Sequence, residues 1–175
     1  MTEQKSNVRP YALALAILAG LTRLMPHPPN FTAVGGGSLF AGARLNGWIA
    51  YLLPLLVMAA TDPFVGGFDS STPFVYSAIL ISVLIGRSLQ RSNNPIRIGG
   101  TAFACSLQFF LVSNLGYFFG YTDKTFHALV LTYVNALPFF GRTLAGDLVW
   151  TATLFGLHYV LTRTVAADER VPATA

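Results

Sequence analysis

A small set of residues in this chain has the chemistry to bind or react: Arg23, His27, Asn30, Asp62, Asn114, Arg142 and Asp147. All stand inside or beside runs that are otherwise apolar. Guanidinium, imidazole, carboxylate and amide groups together can hold a polar small molecule through ion pairs and hydrogen bonds. Within a membrane span such groups are costly, so they pair with one another or face water or a ligand. Each also has a structural use. Asp62, ahead of Pro63, can end a helix and pair with Arg23, while Arg142 can anchor an interface and Asp147 can partner another span. His27 in its Pro-rich loop can be a solvated side chain, although neutral imidazole is also a common metal ligand. The Asn114 amide needs hydrogen-bond partners, which a ligand or a neighbouring helix supplies equally well.

Catalytic signatures do not accompany these residues. There is no G-x-S-x-G, H-E-x-x-H, Walker sequence or strand-linked GxGxxG, and Gly35-Gly36-Gly37 has no lysine to make it a phosphate loop. An enzyme acting on a lipid would have to draw on His27, Asp62 and Asp147. The chain is therefore read as not an enzyme, with no cofactor and no metal. Its one cysteine, Cys105, excludes an internal disulfide and sits among Phe103, Ala104, Leu107 and Phe109, the setting of a buried, inert thiol.

The composition says what positions these residues. Of 175 residues, 53% are hydrophobic and 10% charged, against about 25% charged in soluble domains. Mean hydropathy is +0.55. This is the composition of an integral membrane protein, because a soluble fold would lack the polar surface to cover its core. The net charge of +4 is explained by cytoplasmic loops rich in arginine and not by nucleic acid. The polar start MTEQKSNVRP and the Pro-rich stretch after the first apolar run do not read as a cleavable signal peptide.

Apolar runs place spans at 10–25, 31–43, 47–67, 72–86, 96–121 and 143–161, the second short, with a moderately apolar stretch at 125–140 broken by His127, Asn135 and Pro138. The expectation is an all-α polytopic membrane protein of six transmembrane helices. A tail, 1–9, precedes the membrane domain, 10–163, and a tail, 164–175, follows it. With both termini cytoplasmic, Lys5, Arg9, Arg44, Arg87, Arg91, Arg97, Arg163 and Arg170 fall inside, and Arg23, Lys124 and Arg142 outside, as the positive-inside rule requires. This topology gathers the polar residues into one outer layer. Tyr11, Trp48, Tyr51, Tyr121 and Trp150 read as interfacial belt aromatics. Gly35, Gly36, Gly37, Ser38, Ala41, Gly42 and Ala43 would let the short helix lie almost backbone to backbone against its neighbours, and Ala12, Ala16 and Gly20 form a small-residue groove on the first helix.

RLMPHPPNFTAVGGGSLFAGARL, LLVMAATDPFVGGF, VYSAILISVLIGR, SLQFFLVSNLGYF and ALPFFGRTLAGDLVWTATLFG resemble, in order, a family of small bacterial membrane proteins. That family is in turn similar to the substrate-binding S components of energy-coupling-factor vitamin transporters, including the solitary cobalamin-uptake type. The resemblance covers nearly all of residues 10–163 and implies an S-component-like bundle in the bacterial cytoplasmic membrane. It further implies a vitamin-like ligand held near the outer face by Arg23, His27, Asn30, Asp62, Asn114, Arg142 and Asp147. A transmembrane coupling protein with its ATPase module would dock on Ala12, Ala16 and Gly20. In the cobalamin type a cysteine after the third helix can ligate cobalt; the corresponding loop, GGFDSSTPF, has none, so that role does not carry over. The alternative from another class is a structural membrane protein whose polar residues are interhelical pairs.

Overall fold

The computed structural model describes residues 4–168. Six α-helices follow in order: α1 (Gln4–Leu21), α2 (Val34–Arg44), α3 (Ile49–Val65), α4 (Thr72–Gly86), α5 (Pro95–Tyr121) and α6 (Phe126–Asp168). Among the described residues there is no strand. The end segments expected at 1–9 and 164–175 reach into residues outside the described ones, Arg170 among them, while α1 already begins at Gln4 and α6 runs to Asp168. Thr72–Leu89, Pro95–Tyr121 and Phe126–Thr164 are long and apolar enough to cross a membrane; Pro10–Leu24 and Ile49–Val65 are shorter apolar helices.

The loops end the helices for local reasons. Past α1, a single 3-10 turn, Thr22–Leu24, gives way to Met25 in extended conformation, and the prolines at 26, 28 and 29 prevent helical continuation. Before α4, Asp69 Oδ1 accepts the backbone N–H groups of Ser71 (2.8 Å) and Thr72 (3.1 Å). Before α5, Asn94 Oδ1 accepts those of Ile96 (2.9 Å) and Arg97 (3.2 Å), with Pro95 at the first helical position, where its missing donor costs nothing.

The shortest helix is the hub. At 11 residues, α2 is only about 16 Å long, yet it touches every other helix. Leu39, Phe40 and Ala41 on it are at most 1% exposed. Its small residues make this approach feasible. A Cβ on Gly42 would overlap the Val83 carbonyl of α4, and a Cβ on Gly86 of α4 would overlap the Leu39 carbonyl of α2. The two backbones therefore meet at both crossings, the packing mode of close membrane helices.

The last helix departs from the expected layout. A break was expected between 125–140 and 143–161, but α6 is continuous over 43 residues with Pro138 inside it. Membrane helices tolerate an internal proline because neighbouring groups re-satisfy the freed backbone. At about 64 Å by helical rise, α6 is roughly twice the apolar thickness of a bilayer. It runs antiparallel to α5, with Tyr133 Oη donating to the Leu111 carbonyl (2.8 Å) and Phe110 against Phe140 (4.9 Å between centroids).

Candidate functional site

The polar residues expected to share one layer fall into separate groups. In the first, Arg23 Nη1, from the turn after α1, forms an ion pair with Asp62 Oδ1 near the end of α3 and donates to Thr61 Oγ1 (2.9 Å). The other Asp62 oxygen accepts Tyr76 Oη of α4 (2.6 Å). Both carboxylate oxygens are thus occupied, and Asp62 is buried. The group ties α1, α3 and α4 together. Beneath it, Arg23, Gly20, Ser38 and Val57 border a crevice of about 20 Å³, room for roughly one water molecule.

The second group centres on Asp147, 4% exposed. Its Oδ2 accepts Ser106 Oγ of α5 (2.6 Å), and its carboxylate lies against the first turn of α2, where a Cβ on Gly35 would overlap its Oδ1. A carboxylate suits that position, since the N-terminal amides of a helix are unpaired and carry partial positive charge. At the other end of α2, Arg44 stacks on Phe155 (4.7 Å) and donates to the Leu89 carbonyl (3.0 Å), the Ser92 carbonyl (2.9 Å) and Asn93 Oδ1 (2.7 Å). The short helix thus has an anion at its positive end and a cation at its negative end. This corrects the expected layer: Ser106, level with Asp147, lies eight residues before Asn114 on α5, about 12 Å deeper in the bundle.

The third group lines open space. Asn114, Tyr117, Tyr121, Thr132, Asn135 and Phe139 surround a cavity of about 530 Å³ between α5 and α6. An adjoining cavity of about 210 Å³ shares Asn114 and Phe139 and adds Asn30, Phe110, Ser113 and Thr143. Asn30 and Asn114, expected at one site, are brought together here. Asn114 Nδ2 donates to the Phe110 carbonyl (2.8 Å), which leaves its Oδ1 for the cavity. Asn30 is reached by a left-handed backbone turn, φ 64°, a conformation asparagine tolerates better than most residues. In the loop before α4, hydrogen bonds from Ser71 foremost, with Tyr121 and Thr72 contributing, hold the Asp69 carboxyl below its ordinary value against the opposing effect of burial.

The remaining expected residues stand apart. His27 Nδ1 is 2.7 Å from the Met25 carbonyl, a contact within its own loop. Arg142 is exposed and borders neither cavity. Five residues on a helix turn about 140°, so Arg142 faces outward while Asp147 faces the core, and they do not pair. Cys105 is 2% exposed, the expected buried thiol. The groove of Ala12, Ala16 and Gly20 is occupied by this chain: Ala12 and Ala16 are 1% and 8% exposed, and a Cβ on Gly20 would overlap Val57 of α3. It offers no open docking face in this conformation.

Tyr76, Ser106 and Thr132 were not singled out by their sequence context, and Asn135 was noted only as a break in the 125–140 stretch. Each lies in an apolar run where a hydroxyl or amide reads as incidental. The available signal was spacing: Thr132 and Asn135 are three apart on one helical face, and a buried carboxylate such as Asp147 requires a donor on a facing helix.

These features define a helical membrane-type bundle with a polar-lipped groove between its last two helices. The chain belongs to the family described as a family of unknown function (DUF6580), whose model matches residues 4–171. No curated protein and no solved structure matches it.

Proposed function

We propose that this protein is the membrane-embedded substrate-binding component of a small-molecule uptake system, with its ligand held near the outer face in the α5–α6 groove. In this reading all six helices serve as membrane segments, α2 crossing only partly, and both termini are cytoplasmic in a bacterial inner membrane. The observation that carries it is the pair of adjoining cavities, about 530 and 210 Å³, in the size range of small-molecule sites. Their lining favours a particular ligand chemistry. Asn30, Asn114, Asn135 and Thr132 supply neutral hydrogen-bonding groups, Asp123 supplies one carboxylate, and Phe110, Tyr117, Tyr121 and Phe139 supply aromatic faces. A flat heteroaromatic compound of vitamin size, neutral or carrying one positive charge, suits this better than an anion. Arg23, Asp62 and Asp147 act as structural pairs that hold the groove's supporting helices. Release to the inside would need tilting or a coupling partner, since no ATPase motif is present in the sequence.

The test is to identify what copurifies. Small molecules extracted from purified protein by denaturation and read by mass spectrometry should include one compound retained by the wild type and lost from Asn114→Leu, which fills the shared wall of the two cavities. A wild type and variant with identical extracts would count against the groove.

A second reading, a structural membrane protein without a ligand, is favoured by one observation: the Arg23–Asp62–Tyr76 and Asp147–Ser106 groups are already satisfied within the bundle.

A further inference from the structure

A second large cavity lies at the opposite, arginine-rich end of the same seam. It measures about 710 Å³ and is bordered by Asn93, Gly99, Thr151, Gly156, Tyr159 and Arg163, with apolar Ile98, Leu148 and Phe155 between them. Nothing in the proposed outer-face site uses it. We propose that it is a binding site for an anionic phospholipid, with the headgroup at Arg163 and Asn93 and an acyl chain running along α6 towards Leu148 and Thr151.

Its length fits. Arg163 and Thr151 are twelve residues apart on α6, about 18 Å by helical rise, close to the apolar depth of one leaflet, half of about 30 Å. Its polarity is graded in the same direction. Arg163 stacks over Tyr159 at 4.6 Å, which holds the guanidinium at the rim. Asn93 gives its amide oxygen to Arg44 Nη2 (2.7 Å) and keeps its NH₂ to donate. Arg163 is the one cation on this lining, and basic pockets between membrane helices bind anionic headgroups.

One further observation concerns the width of the cavity. Several glycines of this bundle serve packing, since a Cβ on Gly35, Gly42, Gly86 or Gly116 would overlap a neighbouring helix, whereas Gly100 and Gly141 stand in open space. Gly99 on α5 and Gly156 on α6, the two glycines bordering this cavity, have nothing within 4 Å of where a Cβ would stand. A helical glycine costs stability relative to alanine, and here the only structural return is empty width. At the deep end, Thr151 is 2% exposed and its hydroxyl lies against Gly36 of α2, 3.0 Å from where a Cβ would stand, so it closes the inner wall of the cavity.

The experiment is native mass spectrometry of the purified full chain, titrated with a palmitoyl-oleoyl phosphatidylglycerol and phosphatidylcholine mixture. The wild type should retain one phosphatidylglycerol per chain with at least about tenfold preference over phosphatidylcholine, a free-energy difference of about 1.4 kcal/mol. Arg163→Gln should lose the preference and keep weak retention of both lipids. Gly156→Leu fills space that no neighbour occupies, so it should fold normally and lose retention of both. Equal retention of the two lipids by the wild type, or unchanged selective binding in Gly156→Leu, overturns the proposal. So does glycerol phosphate competing as well as the intact lipid, because the site would then recognise a free phosphate.

Discussion

The Asp147 carboxylate of α6 sits directly against Gly35 in the first turn of α2, so close that a methyl group on Gly35 would overlap its Oδ1. Together with Ser106 Oγ at 2.6 Å, this contact locks the central short helix between the two longest. The glycine is required by position, and its neighbour Gly37 is a built-in control: a Cβ there would meet only Ala19 Cβ at 3.6 Å, ordinary contact. Gly35→Ala should destabilise the protein by about 1–3 kcal/mol through overpacking. Gly37→Ala should be neutral or stabilising by up to about 1 kcal/mol, because alanine is the better helix former. Thermal unfolding of both variants in the same detergent decides; equal effects would contradict the contact.

The Arg23–Asp62–Tyr76 group predicts non-additive mutations. Removing Arg23 alone leaves a buried carboxylate without its counter-charge, a loss of about 3–5 kcal/mol for a fully buried pair and less here because Arg23 is partly exposed. Tyr76→Phe removes one bond to a charged acceptor, about 1.5–3 kcal/mol. The double variant Arg23→Met/Asp62→Leu should be more stable than Arg23→Met alone, since apolar replacement of both partners removes the uncompensated charge. Additive losses in a double-mutant cycle would show that the pair is not coupled.

Asp69 predicts a pH dependence with a definite sign. Ser71, Tyr121 and Thr72 hydrogen bonds hold its carboxyl below the ordinary value, so the folded state favours the charged form. The stabilisation is fully present above the unfolded carboxyl pKa, about 3.9, and is lost as pH falls through the lower folded value. Asp69→Ala should therefore be less stable than wild type at pH 6, with the gap narrowing below about pH 4. Because Asp69 is exposed, the effect is small, and paired unfolding curves at pH 6 and pH 3 are needed to see it. A gap independent of pH would mean the carboxylate's charge plays no part.

Much of the fold was legible because local signals agreed with the tertiary outcome. The α4 limits, Thr72–Gly86, coincide with those expected, since DSST followed by Pro73 marks a start and Gly86 precedes a basic loop. The close approach of α2 was legible in its glycines. The continuity of α6 was not, because a proline that ends a helix in water is tolerated in one supported by membrane neighbours. Residues near one another in topology also proved to be on different faces or at different depths. Arg142 and Asp147 separate by rotation, and Asp147 and Asn114 by depth. Tyr76 was hidden because the hydroxyl that matters meets a carboxylate fourteen residues earlier, a relation no local pattern encodes.

The most direct test of a ligand-binding role is thermal unfolding of the detergent-purified protein against cobalamin, cobinamide, riboflavin, thiamine and biotin. A compound at 100 times its Kd should add about 2.7 kcal/mol. The account predicts that one flat heteroaromatic member raises the Tm, that Asn114→Leu abolishes the rise, and that Arg142→Ala, exposed and outside both cavities, leaves it intact. A rise that survives Asn114→Leu but vanishes in Arg142→Ala would contradict the α5–α6 groove as the site. A panel and copurified extract both without effect would favour a structural bundle.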